Sequence, residues 1–173
     1  MTRSAVQPAD RVATAAAADP PLRIVLVEPE IPPNTGNVAR LCAATGCALH
    51  LIEPLGFSIG DRELKRAGLD YWGSVDVRTH GSLDEFLTAY PVGRWYLSTR
   101  GETPYSAARF VRGDALVFGK ETAGLPTALL VREPTRVLRI PMRSAGVRSL
   151  NLSTSVGIVA YAALAALGFP DLT

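Results

Sequence analysis

The sequence predicts an α/β domain: a mostly parallel sheet of about six strands flanked by helices. Three observations predict it. Short β-rich runs recur along the chain, stretches of helical spacing or composition separate them, and several of those stretches open with Asp or Ser where a helix cap belongs.

The strand candidates are "LRIVLV", "ALHLIE", "SVDVRTH", "RWYLST", "DALVFG" and "TRVLRIP". The interleaved segments "NVARLCAAT", "DRELKRAGL", "SLDEFLTAY", "TAGLPTALL" and "NLSTSVGIVAYAALAAL" read as helices. No internal repeat, low-complexity tract or interior linker divides the chain. Residues 22–173 therefore read as one domain, preceded by a loose tail over residues 1–21. In sheets of this kind ligands bind beyond the carboxyl ends of the strands, so the loops that follow strands are where chemistry is expected.

Composition bounds the function classes. With 173 residues, 47% hydrophobic and 20% charged, the chain is long and apolar enough to bury a core. A net charge of +2 and a pI near 8.7 permit a nucleic-acid partner without requiring one. The longest apolar run, "VGIVAYAALAALGF", falls short of the roughly 20 residues needed to span a bilayer. Asp10, Arg11 and Asp19 interrupt the alanine-rich start, which lacks the apolar stretch of a signal peptide. The expectation is a cytoplasmic protein with no membrane partner. Cys42 and Cys47 have the spacing of neither a redox pair nor half a zinc site, and with His50 and His80 they supply too few ligands, so no metal is expected. They read as small core thiols.

A strand, a glycine-bearing turn and a helix at "LRIVLVEPEIPPNTGNVAR" invite a nucleotide-binding reading. The dinucleotide fingerprint fails, because this turn has only Gly36 before Gly46 closes the helix, although Glu53 lies where a ribose-binding acid would sit. "GDALVFGKET" fails as a phosphate loop in both spacing and context.

Three loops carry more polar chemistry than structure alone requires. In "EPEIPPNTGNVAR", Pro32 and Pro33 stiffen the approach, Asn34 and Thr35 bring polar groups to the turn, Gly36 allows positive φ, Asn37 is a candidate cap, and Arg40 lies about one turn inside the helix. In "FGKETAGLP", Gly119 permits close backbone approach by a ligand, and Glu121 can accept bonds from a hydroxyl or guanidinium. In "RIPMRSAGVRSLNLSTS", Ser149, Asn151, Ser153, Thr154 and Ser155 exceed what one helix cap uses. A capped helix, an acid at a helix start and a serine-rich cap are the purely structural alternatives. Separately, "DRELKRAGLDYW" sets Arg62, Lys65 and Arg66 at helical spacing beside Tyr71 and Trp72. That basic face next to aromatics suits unpaired RNA bases, and equally suits a solvated helix followed by a packed Trp.

In order and spacing, "NTGNVAR", "FGKETAGLP" and "IPMRSAGVRSLNLSTS" resemble the three motifs of the SPOUT RNA 2'-O-methyltransferases. The match covers roughly residues 22 to 170. "IVLVEPEIPPNTGNVARLCAATG" and "RELKRAGLDYW" look most like the small subgroup that methylates the ribose of tRNA wobble position 34. The resemblance implies a C-terminal trefoil knot, which topology rules alone would not anticipate. It implies S-adenosylmethionine as cofactor, held mainly by backbone groups, with Leu97, Gly119, Ile140, Ser149 and Leu150 lining its pocket. It also implies a homodimer acting on the anticodon stem-loop of tRNA, for which the closing apolar helix is a candidate face. Lys120 stands where the family varies, and leaves the flanking glycine and glutamate intact.

The implied reaction is displacement at a sulfonium methyl by a ribose 2'-hydroxyl, which requires alignment and help with proton loss. The family pattern puts the motif-one arginine, here Arg40, at the target ribose. A guanidinium is normally charged and a poor base, so the preferred role is to hold the neighbouring phosphate and stabilise the developing alkoxide. Asn34, Glu121, Ser149 and Asn151 would orient Arg40 and the ribose. A methyltransferase for another tRNA or ribosomal RNA site, and a non-catalytic RNA-binding module of the same fold, are the competing readings.

Overall fold

The computed structural model describes residues 19–58, 73–143 and 145–173. Its centre is a parallel sheet of seven strands: β1 (Arg23–Val27), β2 (Ala48–Ile52), β3 (Val77–His80), β4 (Arg94–Leu97), β5 (Thr103–Pro104), β6 (Ala115–Phe118) and β7 (Val137–Arg139). Spatial order is β3-β2-β1-β6-β4-β7-β5, and every pairing is parallel. The strand beyond the expected six is β5, two residues paired with the edge of β7. "SVDVRTH" forms a strand only from Val77.

Among the described residues four helices flank the sheet: α1 (Pro32–Thr45), α2 (Leu83–Ala89), α3 (Thr127–Arg132) and α4 (Leu152–Ala166). The central strands β1, β2 and β6 are buried throughout, which is why they read as unbroken apolar runs rather than alternating ones. Alternation nevertheless sorts their side chains. Ile24, Leu26, Leu49, Leu51, Leu116 and Phe118 face α1 and α4, packing on Val38, Ala39, Val156, Val159 and Ala163. Val25, Val27, Ile52, Ala115 and Val117 face the other way, onto Phe86, Leu125, Leu129 and Leu130. Cys42 and Cys47 are free thiols buried in the first layer. Burial is the main cause that pushes both up from the ordinary thiol range.

Two helix starts differ from expectation. α1 begins at Pro32, five residues before the candidate cap Asn37, so Asn34, Thr35 and Gly36 lie inside the helix and Gly36 is not a positive-φ turn. Prolines suit the first helical positions because they lack only an N–H that would have no intrahelical partner. "TAGLPTALL" becomes helical only at Thr127, after a tight turn in which the Gly124 N–H donates to the Lys120 carbonyl at 2.9 Å.

Between β1 and β6 the connectivity reverses. β2 and β3 extend the sheet to one side, while β4, β7 and β5 extend it beyond β6. A crevice at the carboxyl ends is expected there.

Candidate active site

The crevice is real: a cavity of about 910 Å³ lies beyond the ends of β4, β6 and β7. Leu97, Phe118, Ile140, Leu150 and Leu152 supply apolar wall, while Ser98, Ser149, Asn151 and Ser155 supply polar edges. Size and lining are those of a small-molecule site.

One carboxylate organises the mouth. α1 has Ile31 at its cap position, which offers no side-chain acceptor. Glu121, from the loop after β6, instead holds the residues that lead into the helix. Its carboxylate accepts from the Glu30 N–H at 2.9 Å, the Ile31 N–H at 3.2 Å and the Asn34 side-chain amide at 2.9 Å. An acid at a helix N-terminus is favoured by the helix dipole as well as by the bonds. The Asn34 carbonyl in turn accepts from the Asn151 amide at 2.8 Å. Asn34 is thus held on both sides, and Glu121, Asn34 and Asn151 form one continuous chain from the loop after β6 through the first turn of α1 to the cap of α4.

Asn151 is also the cap of α4, its side-chain oxygen accepting from the Thr154 N–H at 3.2 Å. Much of the hydroxyl surplus noted in the sequence is spent on this cap. Ser153 donates to the Asn151 side chain at 2.7 Å, and Ser155 donates to the Asn151 carbonyl at 3.0 Å. Thr35, expected at the turn, is fully buried, and its hydroxyl has no hydrogen-bond partner among the described residues.

The loop after β6 is shaped by two glycines for different reasons. Gly124 has φ +68 with open space beside it, so it is needed for conformation. At Gly119 the reason is space: a Cβ there would collide with the Gly124 carbonyl carbon and the Leu125 nitrogen and lie 2.6 Å from the Gly124 oxygen. The close approach at Gly119 is therefore made by the chain itself as the loop folds back.

Asn34, Glu121, Ser149, Asn151 and the five cofactor candidates Leu97, Gly119, Ile140, Ser149 and Leu150 all line this cavity. Arg40 does not. It is exposed on α1, six residues and about 9 Å of helix rise beyond Asn34. Arg62, Lys65, Arg66 and Tyr71 lie outside the described residues. Sequence reasoning missed Ser98, Thr99, Arg100, Met142 and Arg148, which also line the cavity. Ser98 to Arg100 directly follow the end of β4, and the rule that ligands sit beyond carboxyl ends could have found them. Arg100 is fixed by a bond from its guanidinium to the Thr127 hydroxyl at 2.6 Å.

The lining suits an adenosyl nucleoside. Its flat apolar body would meet leucine and isoleucine, and its polar edges would meet serine hydroxyls and the backbone at Gly119. Among the described residues no group of three or more His, Cys, Asp or Glu could hold a metal ion, and no helix is long and apolar enough to cross a membrane.

Comparisons with known proteins point the same way. The sequence matches the model of the SpoU rRNA Methylase family over residues 21–161. A tRNA (cytidine(34)-2'-O)-methyltransferase of Yersinia pestis is 48% identical over 156 residues, covering 86% of this chain and 96% of that protein. The enzyme of the same name from Saccharophagus degradans is 51% identical over 148 residues, covering 84% and 96%. A solved structure from work on the 2-OH methylation of C/U34 on tRNA superposes with a TM-score of 0.81 at 50% identity, covering 87% of this chain and 99% of that one. The SpoU methyltransferase AviRb from Streptomyces viridochromogenes, in complex with the cofactor AdoMet, shares the fold with a TM-score of 0.77 at 20% identity, covering 96% and 64%. With the family model matching residues 21–161, from before the first strand into the last helix, the chain belongs to the SpoU methylase family.

Proposed function

We propose that the protein transfers a methyl group from S-adenosylmethionine to the ribose 2'-hydroxyl of the wobble nucleotide, position 34, of tRNA. The observation that carries this reading is the cavity at the switch point, walled by the predicted cofactor residues and bordered by the chain Glu121, Asn34, Asn151. Identity near 50% with relatives named for cytidine 34 favours that site over another tRNA or ribosomal RNA position. The full set of Asn34, Arg40, Glu121, Ser149 and Asn151 favours an enzyme over a binding module.

Leu97, Gly119, Ile140, Ser149 and Leu150 would hold the cofactor, which when bound supplies a methyl group on a sulfonium leaving group. The chain supplies alignment and electrostatics. Glu121 and Asn151 fix Asn34 at the cavity edge, and with it the first turn of α1. Arg40, further along the same helix, holds the phosphate beside the target ribose and stabilises its developing alkoxide.

The outer side of α4 carries the half-buried Ile158 and the exposed Tyr161 and Ala165, with Tyr161 49% exposed, and α4 packs on α1. A second copy covering that apolar stripe is the proposed dimer, which would set Arg40 near the interface. Family membership also implies the threaded C-terminus, and a tRNA substrate implies a cytoplasmic location.

Transfer of labelled methyl from S-adenosylmethionine to tRNA tests the reading. Incorporation into wild-type tRNA, lost when nucleotide 34 carries a 2'-deoxyribose, is expected. Equal incorporation into the deoxy-substituted tRNA would place the reaction elsewhere.

A further inference from the structure

The loop after β6 and the loop after β1 are bonded to each other residue by residue. Lys120 Nζ meets the Glu28 carboxylate at 2.7 Å. Glu121 accepts from the backbone of Glu30 and Ile31. Thr122 donates to Glu30 twice, from its N–H at 3.1 Å and from its hydroxyl at 3.0 Å. Two of these contacts are reciprocal: Glu121 takes the Glu30 N–H while Glu30 takes the Thr122 N–H. The backbone between Glu121 and Thr122 is thereby closed into a ring with Glu30, and neither loop can shift without breaking bonds at both ends.

The two loops serve different sides of the reaction. Lys120, Glu121 and Thr122 line the cavity, whereas the loop after β1 leads straight into α1, which carries Asn34 and Arg40. Glu30 itself does not line the cavity. Among the described residues its carboxylate bonds Thr122 twice and lies near enough to the Lys120 ammonium to favour its charge. Glu28, the other anchor, sits at φ 49, a left-handed conformation uncommon for a residue with a side chain. Strain of that kind persists where surrounding contacts over-determine it.

We propose that Glu30 and Thr122 are positioning residues that couple the cofactor cavity to the RNA-binding helix, so that filling the cavity tightens RNA binding. The physical route is short. A ligand in the cavity restricts the loop after β6, the Glu30–Thr122 ring passes that restriction to the start of α1, and α1 then presents Arg40 in one position. By linkage the effect is reciprocal, so bound RNA tightens cofactor binding by the same factor. The proposal rests on the methyltransferase reading, and its test separates the two.

The experiment measures the dissociation constant of a labelled tRNA anticodon stem-loop by fluorescence anisotropy, with and without saturating S-adenosylhomocysteine, which fills the cavity without turnover. Wild type is expected to bind RNA at least fivefold tighter with the nucleoside present. Glu30→Ala and Thr122→Val should bring that ratio below twofold, while in Glu30→Ala, whose residue does not line the cavity, S-adenosylhomocysteine affinity in the absence of RNA changes by less than threefold. Thr122→Ser keeps the hydroxyl and should keep the wild-type ratio. Thr122 is exposed, so neither substitution should cost the fold; Val removes the hydroxyl that bonds Glu30, and Ser keeps it. A wild-type ratio of one in a protein that binds both ligands and transfers methyl would overturn the coupling alone, as would wild-type ratios in Glu30→Ala and Thr122→Val. Absence of nucleoside binding and methyl transfer in the wild type would overturn the functional reading itself.

Discussion

Replacing Gly119 with alanine should damage cofactor binding through backbone displacement rather than through any lost contact with the ligand. A Cβ at this position lies 2.6 Å from the Gly124 oxygen, where ordinary contact begins near 3.4 Å. The loop must therefore retreat by about 0.8 Å from that oxygen alone, and further from the carbonyl carbon behind it. That retreat opens the turn closed by the Gly124 N–H to Lys120 carbonyl bond of 2.9 Å. Overpacking of this kind costs about 1–3 kcal/mol. If the loop must recover its shape to bind, the same energy appears as a roughly 5- to 150-fold weaker S-adenosylmethionine affinity. Gly124→Asn is the control, since open space surrounds Gly124 and asparagine tolerates the left-handed conformation better than other side chains. Its affinity should stay within about threefold of wild type. Isothermal calorimetry on the folded variants reads both. Gly119→Ala binding within twofold of wild type, or Gly124→Asn being equally harmful, would refute the packing argument.

Other predictions concern the start of α1, the proposed dimer face and pH. Glu121→Ala removes the acceptor for three donors at the start of α1, so thermal unfolding should show a loss of about 1–2 kcal/mol together with a fall in kcat. Tyr161→Glu puts a charge on the exposed stripe of α4 and should shift the protein toward monomer in sedimentation without unfolding it. His50 and His80 form a buried pair at 2.9 Å, packed by Phe86 and Tyr90 and facing Arg23, Arg78, Asp76 and Glu85. Burial above all, then the neighbouring His80 and arginine charges, pushes His50 down to about 3. The folded protein therefore stays neutral there while the unfolded chain takes up a proton near pH 6.5, so this stability is complete above 6.5 and is lost as pH falls toward 3. Lowering pH from 7.5 to 5 should cost about 2 kcal/mol in urea unfolding, and His50→Gln should flatten most of that slope.

Much of the fold was legible because parallel strands buried on both faces leave unbroken apolar runs, as in β1, β2 and β6. The two residues of β5 leave no such run; only their pairing with β7 makes them a strand. The start of α1 was misplaced for a physical reason. Cap rules look for a local Ser, Thr, Asp or Asn, whereas the entry to this helix is held by Glu121 from about 90 residues away. At α4 the local rule succeeded with Asn151, yet Ser153 and Ser155 were read as spare when their hydroxyls bond to Asn151 itself. Motif spacing brought Asn34, Glu121, Ser149 and Asn151 to one cavity, but Glu30 and Arg100 carry no motif and act only through tertiary proximity. The pairing of His50 with His80 likewise depends on the register of β2 against β3.

The central claim is ribose methylation at one nucleotide, and mass mapping of nuclease fragments tests it most directly. Purified protein is incubated with S-adenosylmethionine and unmodified or natively modified tRNA, and each fragment is weighed. The expected result is a single added methyl, on the ribose of nucleotide 34. A methyl on any other nucleotide, or on the base of nucleotide 34, would contradict it, as would tRNA left unmethylated by a protein that binds the cofactor.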